Sequence, residues 1–232
     1  MNPHRSAAAR PLLVVPAYFH PAVRAGDWDR LVTLARRVRL VVLNLASGPG
    51  ERRDEAFGPV LARIRDARVT VAGYVDTDYG RRPPGAALAD LERYQSWYGV
   101  DGVFFDRVSV GAEHVARYRA LAESVRRHGA GVVAFNHGAQ PVPAYAEHAD
   151  LLGTFEGPWH AYLDAAVPHW VRASAAHRFF HLVHSVPHAH LGDALDLAGK
   201  RNAGGVYATN QGGGNPWDRL PGDPVDAGNT DR

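Results

Sequence analysis

The 232-residue sequence predicts an α/β fold, a single (β/α)8 TIM-type barrel, on three observations. Short apolar, β-branched runs alternate with amphipathic stretches along the chain. There are eight such runs, the number that closes a parallel barrel. The phosphate loops of open nucleotide-binding sheets are missing, since no GxGxxG follows the first run and no GxxxxGKS or GxxxxGKT occurs. An open doubly wound sheet is the alternative topology.

The strands fall, in order, at Leu12–Tyr18, Leu40–Leu45, Val69–Asp76, Gly102–Asp106, Gly131–Asn136, Asp150–Glu156, Arg178–Val186 and Gly205–Asn210. Runs as apolar as Val103-Phe104-Phe105 suit a parallel sheet covered on both faces. Helical segments lie between them. Asp27–Val38 opens on an aspartate in a capping position, Ala86–Trp97 follows, and Glu113–Arg127 carries Val115, Tyr118, Leu121, Ala122 and Val125 at helical spacing. The barrel is expected over residues 11–220, with a flexible N-terminus at 1–10 and a disordered Pro-, Gly- and Asp-rich tail at 221–232.

Composition removes whole function classes. Without cysteine there are no disulfides, thiolate metal sites, iron–sulfur clusters or cysteine nucleophiles. The single lysine, Lys200, sits in a helical stretch, which argues against a Schiff-base aldolase. The formal charge of +2 is scattered, and no arginine run interleaves with aromatics, so no nucleic-acid partner is expected. The run Leu12–Val15 is cut by Pro16 and is too short for a signal core or a membrane span. A cytoplasmic, monomeric protein is therefore expected, or a secreted one if the N-terminus is incomplete, with no membrane partner and no cofactor.

Barrel chemistry is assembled at the C-terminal ends of the strands. Those ends carry Tyr18 and His20, Asn44, Asp76 with Asp78 and Tyr79, Asp106, Asn136, Glu156, His184, and Thr209 with Asn210. Any one of these could merely cap the next helix. Asp106 and Glu156 stand out, because each is a carboxylate following an apolar strand that should aim it into the mouth. Glycosidic cleavage needs such a pair, one carboxyl to protonate the leaving oxygen and one to attack the anomeric carbon or activate water. Asp76 and Asp78 would make the mouth more acidic, which suits an amino sugar. Tyr18, Tyr79, Trp159 and Trp217 could support sugar faces.

His177, His181, His184, His188 and His190 gather around the seventh strand. His181 and His184 should point to opposite faces of a strand, so no metal site is expected, and His184 reads better as a sugar-binding or proton-handling residue. Gly212-Gly213-Gly214 after the last strand reads as a flexible loop rather than a phosphate site.

The same residues resemble the spherulin 4, or spherulation-specific family 4, group, classed as glycoside hydrolase family 135. The resemblance runs through Val15-Pro16-Ala17-Tyr18, Asn44 with Ser47-Gly48-Pro49-Gly50, and Gly73-Tyr74-Val75-Asp76-Thr77-Asp78-Tyr79-Gly80. It continues through Val100–Asp106, Thr154-Phe155-Glu156, His184-Ser185-Val186-Pro187, Tyr207-Ala208-Thr209 and Asn215-Pro216-Trp217. It implies a (β/α)8 barrel that hydrolyses α-1,4-linked galactosaminogalactan. It also implies Asp106 as nucleophile or electrostatic stabiliser and Glu156 as general acid/base, or the reverse. The chain departs from the family pattern at three places: Arg107 replaces a glutamate, Asn210 an aspartate, and Asp76 a position that is commonly histidine. Arg107 thus puts a cation where a carboxylate is usual, which would weaken catalysis or retune it towards an anionic substrate. Two other readings remain open: a non-catalytic carbohydrate-binding barrel, and a barrel enzyme acting on a small metabolite in a closed pocket.

Overall fold

The computed structural model describes residues 10–222. Eight parallel strands pair in sequence order and close on themselves, β1 against β8. They are β1 Leu12–Ala17, β2 Val38–Leu43, β3 Val71–Asp76, β4 Gly102–Asp106, β5 Val132–Asn136, β6 Leu151–Pro158, β7 Phe179–His184 and β8 Gly205–Ala208. Each covers part of an expected run. The sequence expectations for the termini fall chiefly on residues 1–9 and 223–232, outside the described residues.

The helices are α1 Ala25–Thr33, α2 Phe57–Asp66, α3 Pro84–Tyr98, α4 Val115–Arg127, α5 Trp159–Asp164, α6 His169–Ala173 and α7 Leu191–Lys200. Three features between the strands differ from expectation for local reasons. The first starts at Ala25, so Asp27 lies within its first turn rather than capping it, where its charge still favours the helix N-terminus. It also stops at Thr33, because Val38 and Leu40 enter β2 and a 3-10 turn at Ala35–Arg37 intervenes. Between β5 and β6 the link is a 3-10 turn, Pro143–Glu147, since prolines at 141 and 143 deny an α-helix its amides. No helix among the described residues is long and apolar enough to cross a membrane.

Alternation along the strands divides two cores. Inside the barrel Phe104 of β4 faces Phe180 of β7, with ring centroids 5.7 Å apart. Outside it, Phe105 and Phe135 pack under Tyr118 of α4. Helix α3 comes close to the sheet because Gly73 lacks a side chain: a Cβ there would sit 2.5 Å from the Tyr94 ring. The polar chemistry is thereby left to the strand ends.

Candidate active site

Asp106 ends β4, two residues beyond Phe104, and so points inward. One carboxylate oxygen accepts the Tyr74 hydroxyl at 2.9 Å and the other accepts the Asn136 amide at 2.7 Å. The same Asn136 nitrogen donates to Glu156 at 2.5 Å. The facing carboxylate oxygens therefore lie no farther apart than two such bonds laid end to end, roughly 5 Å, which is below the roughly 6.5–9.5 Å separation of inverting pairs.

Glu156 arrives differently. In β6 the register slips between Gly153 and Phe155, so Thr154 is an extra residue in the strand. Gly153 faces the barrel interior, where a Cβ would lie 2.3 Å from the Asn136 side-chain oxygen. Phe155 faces outward, 4.6 Å from the Tyr162 ring. Simple alternation from Gly153 would have turned Phe155 in and Glu156 out; the bulge reverses both.

The environment separates the two carboxyls. Burial pushes Glu156 up to about 7, the Asp106 charge acting in the same sense and the Asn136 hydrogen bond against it. Burial also raises Asp106 above its ordinary range, opposed by the hydrogen bonds from Asn136 and Tyr74. Asp106 thus has three donors stabilising its anion, Asn136, Tyr74 and the Arg107 backbone amide, against one for Glu156, while each carboxyl also feels a neighbouring carboxylate charge. Burial and nearby carboxylates hold the Tyr18 and Tyr74 phenols protonated.

Two cavities meet at the pair, which lines both. One, of about 500 Å³, is bounded by Tyr18, Asn44, Ser47, Tyr74, His184, Asn215 and Trp217. The other, of about 470 Å³, is bounded by Tyr79, Arg107, Val108, Val110, His137 and Gly138. His184 stands edge-on to Trp217, and burial lowers its pKa, as does the neighbouring His160. His181 occupies the other face of β7, buried against Thr154 and Tyr162.

The remaining expected residues are distributed as follows. Asp76 and Asp78 are ion-paired with Arg107 at 2.8 and 2.6 Å, and Asp78 also with Arg81 at 2.7 Å. The expected acidity of the mouth is thereby offset by arginine at Asp76 and Asp78, although the Asp76 charge still acts to raise Asp106. Arg107 faces these partners and lies over the Tyr79 ring, 4.9 Å from its centroid. Two of the departures noted above, Asp76 and Arg107, are thus halves of one ion pair. His20 bonds Asp54 at 2.8 Å and lines neither cavity, and Asn210 is exposed and bonds Gln211. Backbone in the left-handed region at Ser47, Asp78, Tyr79, Arg107 and Ser185 concentrates strain in the loops around the mouth. Tyr74 is a site residue beyond those expected from the strand ends; it precedes Asp76 by two and so shares its inward face.

Residues 12–224 match the spherulation-specific family 4. Spherulin-4 of Physarum polycephalum is 30% identical over 149 residues, an alignment spanning 62% of this chain and 44% of that protein. The crystal structure of Aspergillus clavatus Sph3, in complex with GalNAc, superposes with a TM-score of 0.78 at 26% identity, over 94% of this chain and 96% of that one. A chitinase from Rhizomucor miehei superposes with a TM-score of 0.56 at 14% identity, over 89% and 96%, a likeness of fold alone.

Proposed function

Since the chain belongs to the spherulation-specific family 4, we propose that it is a retaining glycoside hydrolase acting on a galactosamine-containing poly- or oligosaccharide. The observation that carries this reading is the Asp106–Asn136–Glu156 bridge, two inward carboxyls sharing one amide nitrogen between two open cavities. The sugar class is supported by the GalNAc held in the Aspergillus clavatus structure. Glu156, protonated up to about neutral pH, donates its proton to the glycosidic oxygen while the Asp106 carboxylate attacks the anomeric carbon. The carbon–oxygen bond to the leaving sugar breaks as the bond to Asp106 forms. In the second step the Glu156 carboxylate takes a proton from water, whose oxygen displaces Asp106. Tyr74 and Asn136 orient the nucleophile and stabilise its anion.

A cavity on either side of the pair favours a chain running through the site over a small metabolite in a closed pocket. Arg107 is tied to Asp76 and Asp78, so the cation leaves the pair intact, which disfavours the non-catalytic reading. The test is reducing-end release from acetylated and deacetylated galactosamine polymers by wild type, Asp106→Asn and Glu156→Gln. Release by wild type and its loss in both folded variants is expected. Saturable binding without turnover by wild type would return the binding-barrel reading.

A further inference from the structure

Glu156 points into the barrel only because β6 carries one extra residue, and that residue is held from outside the barrel. Thr154, the inserted residue, is 1% exposed and its hydroxyl lies 3.0 Å from Nε2 of His181 on β7. Nδ1 of the same imidazole lies 2.8 Å from the Tyr162 hydroxyl on α5. Tyr162 is itself fixed: Arg201 lies over its ring, 4.5 Å from the centroid, and donates to the carbonyls of Tyr162 and Leu163. Phe155 wedges against both Tyr162 and His181 on this outer face. A bulge leaves a strand with a choice of registers, and an outward polar side chain with one buried partner removes that choice.

We propose that Thr154, His181 and Tyr162 form a positioning lock that fixes the β6 bulge and with it the direction of Glu156, although none of the three lines either cavity. His181 cannot be a proton carrier for the reaction: it is buried, faces away from the cavities and is held neutral by a burial that lowers it to about 3. Its role is geometric. Should the Thr154 hydroxyl lose its partner, the strand can relax towards regular alternation, which carries Glu156 away from Asn136 and Asp106 while Asp106 on β4 stays where it is. The inference rests on the assignment of Glu156 as acid/base, but its structural half stands apart from turnover.

Two measurements on Thr154→Val, which keeps the shape and removes the hydroxyl, and on Thr154→Ser, which restores it, test the lock. In hydrolysis, Thr154→Val is expected to lower kcat by about 10- to 100-fold with KM little changed, and Thr154→Ser to recover most of the loss. The second readout needs no turnover: titration of the Glu156 carboxyl by carbon-13 NMR. In wild type and Thr154→Ser it should titrate near 7, and in Thr154→Val it should fall towards the ordinary glutamate range. Absence of hydrolysis by wild type would count against the proposed function and leave the titration to decide the lock. An unmoved Glu156 titration in folded Thr154→Val, or equal effects of valine and serine, would overturn the lock whatever the activity.

Discussion

Strands β4 and β6 each deliver one carboxyl to the same amide nitrogen, by opposite means. Regular β4 places Asp106 inward by alternation from Phe104, and the aromatic packing of Phe105 on Phe135 outside it follows the same rhythm. In β6 the rhythm is broken at Thr154, and a buried polar network outside the barrel holds the break. A regular strand is robust, because its whole hydrophobic pattern enforces one facing. A bulged strand gains a facing its pattern would not give, but it depends on a few contacts remote from the chemistry. The nucleophile should therefore tolerate changes around its strand better than the acid does.

The largest effects come from removing the carboxyls themselves. Asp106→Asn should lower kcat by about 1,000-fold or more, and Glu156→Gln by about 100- to 10,000-fold, with leaving groups that need no proton suffering less in the latter. Steady-state kinetics on a polymer and on an activated aryl glycoside separates the two roles. Next, Gly153→Ala drives a methyl into the Asn136 oxygen and the Phe180 ring, and should cost about 1–3 kcal/mol of stability, read by denaturant titration, along with activity. The corresponding test on β4, Phe105→Leu, should keep Asp106 in place and cost stability with little change in the pH profile of the folded enzyme.

Protonation sharpens the contrast. Activity should decline as pH rises through about 7, where Glu156 loses its proton, and on the acid side as Asp106 gains one. The folded pKa of Glu156 is raised, so its favourable contribution is complete below the unfolded value near 4.5 and is lost as pH rises through 7. Glu156→Gln should accordingly gain stability relative to wild type between pH 4 and pH 8, by up to about 3 kcal/mol, in thermal or denaturant unfolding. Tyr74→Phe removes one of the donors to Asp106 and should cost about tenfold in kcat while shifting the acid limb upward. The smallest effect is expected from Arg107→Gln, within about threefold, because its pairs with Asp76 and Asp78 are partly exposed.

The eight strands were legible because buried parallel strands are nearly continuous apolar runs, and Asp106 because it closes one of them. The end of α1 was not, since Leu31, Leu34 and Val38 fit a helical spacing while Val38 and Leu40 also fit a strand. The neutralisation of Asp76 and Asp78 was hidden, because it is made across two loops by a residue whose left-handed backbone no local pattern announces. Trp217 lines the cavity from beyond β8 as expected of a rim aromatic, whereas Asp54 takes His20 away from it through a contact distant in sequence. Glu156 was picked out as a strand-end carboxylate, yet alternation counted from Gly153 would have turned it outward. Its direction is a property of the bulge, visible only with the neighbouring strand in place.

The spacing of the pair makes a claim about stereochemistry, and proton NMR of the first product released from a substrate of known anomeric configuration tests it most directly. Two carboxyls bridged by Asn136 predict a product that first appears with the anomeric configuration of the bond cleaved, before mutarotation mixes the forms. A product that first appears inverted would contradict the account, because inversion needs the wider carboxyl separation that leaves room for a water as well as the sugar.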